Sequence, residues 1–160
     1  MTSVADLADL ALGIGEACAL SLRDFGGRLA FSGPIRTIAC FEDNLLARRM
    51  LESPGNDAVL VLDGGGSLRR ALIGDNLAEI GIANGWAGIV VNGAVRDTAA
   101  LARMAIGIKA LGVNPMRCAR DGTGTAEMPV AFGGVVFTPG AWVYCDGDGV
   151  LVVPERMAAG

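Results

Sequence analysis

Residues 59–97 read VLVLDGGGSLRRALIGDNLAEIGIANGWAGIVVNGAVRD, and the order of patterns inside them decides the fold. Ala58 to Leu62 (AVLVL) is a short, continuous apolar run that ends in Asp63-Gly64-Gly65-Gly66. Such a run bounded by a turn signal is what a strand buried on both faces looks like. Asp75 to Ala83 carries apolar residues at helical spacing, and Gly88 to Asn92 (GIVVN) is a second buried strand. Strand, helix, strand in this order predicts parallel pairing, because parallel strands need a crossover connection.

Outward from this centre the same alternation continues. Upstream, Val4 to Ile14 reads as a helix and Gly33 to Cys40 as a strand. Asp43 is placed to cap a helix running to about Glu52, which Ser53-Pro54-Gly55 stops. Downstream, a short helix is expected from Asp97 to about Met104, and a third parallel strand from Ile106 to Leu111. The last third changes character. Pro129–Phe132, Val135–Phe137, Trp142–Cys145 and Val150–Val153 are short strands separated by glycine-bearing turns, the spacing of antiparallel hairpins. The expectation is one α/β domain over residues 1–160, with parallel central strands and a β-rich C-terminal part.

Composition excludes several classes of function. Apolar residues make up 52% and charged residues 19%, enough to build a core and too little charge for disorder. The net charge of −4 speaks against nucleic acid, whose phosphates need a basic face. The basic pairs Arg48–Arg49 and Arg69–Arg70 read as solvated helix faces or subunit contacts rather than a phosphate patch. Met1 to Ala8 lacks a basic export-type start and contains Asp6, and no apolar run reaches membrane-spanning length. Cys18, Cys40, Cys118 and Cys145 lie far apart without CxxC spacing, so free thiols in a reducing cytoplasm are expected. There is no histidine, which removes Ser–His and Cys–His catalysis and His-ligated metals. Lys109 is the sole lysine and the sole Schiff-base candidate. Carboxylates and arginines must carry any chemistry.

Three segments offer it. Gly64-Gly65-Gly66 follows a strand but lacks both GxGxxG and Walker spacing, so a turn whose amides line a pocket is the expectation over a nucleotide or methyl-donor site. Asp146-Gly-Asp-Gly149 lacks the distal glutamate of a calcium loop and reads as a hairpin turn. The third is Gly74-Asp75-Asn76-Leu77 together with Arg96-Asp97, each on a βα connection where open α/β sheets gather ligand groups. The first amides of the helix at Asp75–Leu77 suit a substrate carboxylate, Arg96 offers a planar fork for a carboxylate or a 2-oxo acid, and Asp97 is a hard ligand for Mg2+ or Mn2+. The same residue types also fit two N-caps, Asp75 and Asp97, with Arg96 as their ion-pair partner.

The stretch from Val59 to Asp97 resembles the family called regulator of ribonuclease activity A, which also contains the class II 4-hydroxy-4-methyl-2-oxoglutarate aldolases. The likeness extends upstream to Phe25-Gly-Gly-Arg28 and Cys40-Phe-Glu-Asp-Asn44. Downstream it runs through Ile106-Gly-Ile-Lys-Ala110 and Phe132–Phe137 to Tyr144–Val150. Aldolase members resemble one another in an Asp, twenty intervening residues and Arg-Asp, which Asp75 and Arg96-Asp97 reproduce.

The resemblance implies a three-layer α/β/α swivelling-domain sandwich, a ring-shaped homotrimer and an active site at a subunit boundary. It further implies metal-dependent cleavage of 4-hydroxy-4-methyl-2-oxoglutarate to two pyruvates, with decarboxylation of oxaloacetate alongside. Asp97 would then hold the divalent cation, Arg96 would bind the pyruvyl oxygens, and Asp75 would direct a water as base. Gly74, Asp75, Asn76 and Leu77 would seat a carboxylate. The other role in the family, binding and inhibiting ribonuclease E without catalysis, is the alternative.

Overall fold

The computed structural model describes residues 2–159. Helix α1 (Val4–Leu10) precedes the short strands β1 (Glu16–Ala17) and β2 (Arg23–Asp24) and the long strand β3 (Phe31–Ala39). The central part runs α2 (Leu45–Glu52), β4 (Val59–Asp63), β5 (Ala71–Ile73), α3 (Asp75–Ala83), β6 (Gly88–Val95), α4 (Thr98–Leu101) and β7 (Gly107–Val113). The C-terminal part is β8 (Thr125–Ala126), β9 (Val130–Phe132), β10 (Val135–Phe137), β11 (Trp142–Asp146) and β12 (Gly149–Val153).

One mixed sheet has the order β1-β12-β11-β3-β4-β6-β7-β2, with β5 added on β6 and β8 on β3, while β9 and β10 form a separate hairpin. The strands β3, β4, β6 and β7 are parallel, as the central pattern predicts. Strand β6 pairs with β4 from Gly88 to Asn92 and then with β5 at Ala94 and Val95, beside an irregularity in its register with β7. That exchange of neighbours brings the end of β6 next to the end of β5.

The continuous apolar runs are buried on both faces, and alternate residues serve different cores. Leu60, Leu62, Ile89 and Val91 pack with Leu51, Leu77, Ala78 and Leu101 of the helices. Val59, Val61 and Val90 pack with Phe132 and Phe137 of the hairpin, whose rings stack at 4.5 Å between centroids. The hairpin turns through Gly133 and Gly134, both at positive φ, the geometry of a tight two-residue connection. Helix α1 covers Tyr144, Leu151 and Val153. The register Ser32↔Tyr144 on one side of β3 and Arg36↔Leu60 on the other places this contact on the same side of the sheet as α2 to α4.

The three-layer expectation put helices on both faces; here the helices stand on one side, and the other is lined by β9–β10 and the curling sheet. The reason lies in the period-two alternation of Val130, Phe132, Val135 and Phe137, which suits a strand covering a flat apolar face. Helix α1 is also shorter than expected. Its end at Leu10 is followed by Gly13 at φ 84°, and Leu10, Leu12 and Ile14 are left exposed.

Lys109 is 1% exposed and lies 3.0 Å from Asp24, its cross-strand neighbour on the edge strand β2. All four cysteines are free. Asp146 forms the expected hairpin turn, one carboxylate oxygen accepting from the Asp148 amide and the other from the Val4 amide. No helix among the described residues is long and apolar enough to cross a membrane.

Candidate active site

Two βα connections meet at the carboxyl ends of β5 and β6. The Arg96 amide donates to the Ile73 carbonyl at 2.9 Å, which extends the pairing one residue past the strands. The chain then turns sharply at Asp97, which adopts the left-handed conformation, φ 60° and ψ 41°. Aspartate tolerates that region better than most residues, yet it remains sparsely populated for any non-glycine side chain.

Asp97 occupies the N-cap position of α4, but its side chain makes no capping bond. Its Oδ2 instead accepts from the Asp75 amide of α3 at 3.1 Å. Gly74 makes this approach possible. A Cβ there would stand 2.5 Å from Asp97 Oδ2 and 3.3 Å from Arg96 Cγ. Gly74 thus leaves room for the Asp97 carboxylate, while its own extended backbone is open to any residue.

The paired-cap arrangement is not the one observed. Asp75 is the first residue of α3 and caps nothing with its side chain, since the N-cap is Gly74. Arg96 donates to the Pro115 carbonyl at 3.4 Å, and among the described residues no carboxylate lies within ion-pairing distance of it. Of the three helix amides expected to be free, that of Asp75 is taken by Asp97. Those of Asn76 and Leu77 keep no acceptor among the described residues, as the first turn of a helix dictates.

The pocket above these groups encloses about 90 Å³ and is also lined by Asn44, Arg48, Arg117, Cys118 and Arg120. Pockets for drug-sized ligands begin at roughly 300 Å³, so this space suits a small acid better than a nucleotide-sized molecule. The additional arginines escaped the sequence reading. Arg48 was hidden in a basic pair, and Arg117 and Arg120 stand in a loop with no motif. Cys118 is a poor nucleophile here, because burial pushes its thiol above the ordinary range.

The loop that carries Arg117 and Arg120 is anchored by Asp43, which is 2% exposed. Its carboxylate accepts from the amides of Asp121, Gly122 and Thr123 and from the Thr123 hydroxyl, as well as from Leu45. Burial alone would raise its pKa, but these backbone donors outweigh burial and hold it below the usual carboxylate range. Asp43 was expected as the cap of α2. Asn44 takes the N-cap position without a side-chain bond, whereas the Asp43 carboxylate accepts from the first helix amide, that of Leu45, and also ties two distant segments together.

The glycine run after β4 behaves differently from expectation. The amides of Gly64 and Gly66 donate to the Asn92 carbonyl, and that of Gly65 to Asp63 Oδ1. With all three donors engaged inside the protein, none faces a ligand. Lys109 also lies outside the pocket lining.

Among the described residues no three cysteine or acidic side chains cluster as a metal cage. Asp75 and Asp97 are the two carboxylates at the pocket. Mg2+ is commonly held by one or two carboxylates, with waters and substrate oxygens completing its shell, so this donor set fits such an ion.

A family model described as Aldolase/RraA matches residues 4–152. The chain belongs to the RraA-like family. Two solved RraA-like folds superpose on nearly all of it with a TM-score of 0.95. One is the RNA-processing inhibitor RraA from Thermus thermophilis, at 45% identity over 99% of this chain and 96% of that one. The other is described as an S-adenosylmethionine:2-dimethylmenaquinone methyltransferase from Geobacillus kaustophilus, at 43% identity over 99% of both chains. A more distant relative is Streptomyces coelicolor RraAS2, described as an unusual member of the RNase ES inhibitor family. It shows 29% identity, covers 96% of this chain and 81% of its own, and has a TM-score of 0.78. The RraA-like family thus joins proteins described by different functions, and the site must discriminate between them.

Proposed function

We propose that this chain is a divalent-metal-dependent class II aldolase that cleaves 4-hydroxy-4-methyl-2-oxoglutarate to two pyruvates and also decarboxylates oxaloacetate. The observation that carries the reading is the placement of Asp97. Its left-handed backbone, the bare Cα of Gly74 and its bond from the Asp75 amide, in place of a capping bond, together hold a carboxylate beside Arg96 and the first turn of α3. Strain of this kind persists where surrounding structure enforces it, and it clusters at functional sites.

The chain's own residues divide the work. The amides of Asn76 and Leu77 hold the substrate carboxylate, and Arg96 binds the carboxylate and 2-oxo oxygens with its planar fork. Asp75, through a water, accepts the proton of the 4-hydroxyl as the C3–C4 bond breaks. The electron pair of that bond moves toward C3 and the 2-oxo oxygen, giving a pyruvate enolate, and C4 leaves as the carbonyl of the second pyruvate. Arg96 stabilises the developing oxyanion, and protonation at C3 completes the first product. Asp97 would hold a divalent cation, which when bound would supply Lewis-acid polarisation to the site. The same enolate arises when oxaloacetate loses carbon dioxide.

A homotrimer in the cytoplasm belongs to the same proposal. It is supported by the exposed apolar side chains Leu10, Leu12 and Ile14, which a subunit contact would cover.

Pyruvate release from the six-carbon hydroxy acid and from oxaloacetate, with Mg2+ and with chelator, tests the reading. Release that requires the metal is the expected result. No release from either acid under any metal condition rejects it in favour of a protein-binding regulator of ribonuclease E, a reading in line with the 45% identical Thermus relative's description as an RNA-processing inhibitor.

A further inference from the structure

The catalytic groups account for only half of the pocket. Its lining carries four arginines, Arg48, Arg96, Arg117 and Arg120, against the two carboxylates Asp75 and Asp97. This excess is local, since the chain as a whole has a net charge of −4. Elsewhere Arg36 and Arg69 are paired with glutamates, and at the pocket itself Arg48 is 3.8 Å from Glu52 in an exposed pair. Arg117 and Arg120, by contrast, have no carboxylate within ion-pairing distance among the described residues.

Their position is fixed rather than free. The Ala71 amide donates to the Met116 carbonyl at 2.7 Å and sets Arg117 beside β5. The Ala119 amide donates to the Glu42 carbonyl at 2.8 Å, and the Asn44 amide to the Ala119 carbonyl at 3.1 Å. Asp43 then gathers the next three amides, 121 to 123, onto one buried carboxylate. A loop with this many long-range backbone bonds fixes the main chain of two pocket-lining arginines, so binding need order only their side chains.

We infer that Arg117 and Arg120, with Arg48 of α2, form a second anion subsite that reads the distal carboxylate of a dicarboxylic 2-oxo acid, and that Asp43 is the positioning residue of that subsite. The inference rests on the proposed function for the orientation of the substrate, whose 2-oxo head lies at Arg96 and the α3 amides. It adds what selects among acids sharing that head. A monocarboxylic 2-oxo acid leaves the guanidinium groups of Arg117 and Arg120 without a partner, whereas a dicarboxylic one gives them charge-assisted bonds.

Calorimetry with two unreactive probes tests this without relying on turnover. 2-Oxoglutarate carries the second carboxylate, and 2-oxobutanoate has the same head without it. With Mg2+ present, the unaltered protein should bind 2-oxoglutarate at least about tenfold more tightly. In the double variant Arg117→Ala/Arg120→Ala the ratio should fall to about one. Asp43→Asn should lower the same ratio, because a neutral amide oxygen holds the loop less firmly. Equal affinity for the two probes in the unaltered protein, or no binding of either, overturns the inference, as does a ratio that survives in the double variant. A tenfold preference in a protein that releases no pyruvate from any acid sinks the aldolase reading and leaves the subsite standing. Normal pyruvate release without the preference sinks the subsite alone.

Discussion

Two glycine-bearing turns follow two strands of the same sheet, and they end in opposite states. After β4, Gly64, Gly65 and Gly66 fold back so that every amide donates to Asn92 or Asp63. After β5, Gly74 opens directly into α3, and the amides of Asn76 and Leu77 find no acceptor among the described residues. The glycine-rich turn looks more like a ligand loop, yet it is the turn with the single glycine that lines the pocket. The number of glycines matters less than where the backbone donors go. In the first turn positive φ at Gly65 and Gly66 closes the chain on itself. In the second the missing Cβ admits a carboxylate from a residue 22 positions along the chain, Asp97 to the Asp75 amide.

The largest expected effect separates the two turns by chemistry. Asp97→Asn keeps an oxygen for the Asp75 amide and a side chain that tolerates the left-handed backbone, so the melting temperature should stay close to that of the unaltered protein. Pyruvate release should fall about 10³-fold, because the negative charge that holds the cation is gone. Near-normal metal-dependent turnover in this variant would break the assignment of the second turn.

Gly74→Ala comes next. The new methyl must displace Asp97 Oδ2 from a position 2.5 Å away. A shift on the order of 1 Å at the reacting groups should cost about 100-fold in pyruvate release. The same substitution at Gly65 sharpens the contrast. With φ at 67° and only the edge of the Phe41 ring nearby, Gly65→Ala should lower stability by about 1 kcal/mol and leave turnover near normal. Denaturant unfolding and the pyruvate assay, run on both variants, give the two readings. A Gly65→Ala protein as inactive as Gly74→Ala would show that the two turns are not functionally distinct.

The smallest effect concerns acid. Asp43 is held below the ordinary carboxylate range, so the unfolded chain binds its proton first as the pH falls. Its contribution is therefore present above about pH 4 and is lost on further acidification through the lower folded value. Thermal melts between pH 6 and pH 3, as round limits of that window, should decline less steeply in Asp43→Asn than in the unaltered protein. Parallel declines would show that Asp43 carries no such linkage.

Local pattern made much of this molecule legible. The runs at Ala58–Leu62 and Gly88–Asn92 became parallel strands buried on both faces, because continuous apolarity and helix-length spacing are properties of neighbouring residues. The placement of Asp75 and Arg96-Asp97 on adjacent βα connections followed from the same order of elements. Asp43 was legible only as a helix cap, since nothing near it in sequence points to Gly122, 79 positions away.

What the sequence by itself determined is thus the alternation of elements, the central sheet and the residues at its carboxyl edge, all encoded within a few turns of chain. Tertiary structure decided which backbone amides stayed free, which arginines joined the pocket, and that a hairpin lines the second face. Those outcomes depend on where a donor finds its acceptor and whether a Cβ has room. Both are settled only when segments far apart in sequence pack together.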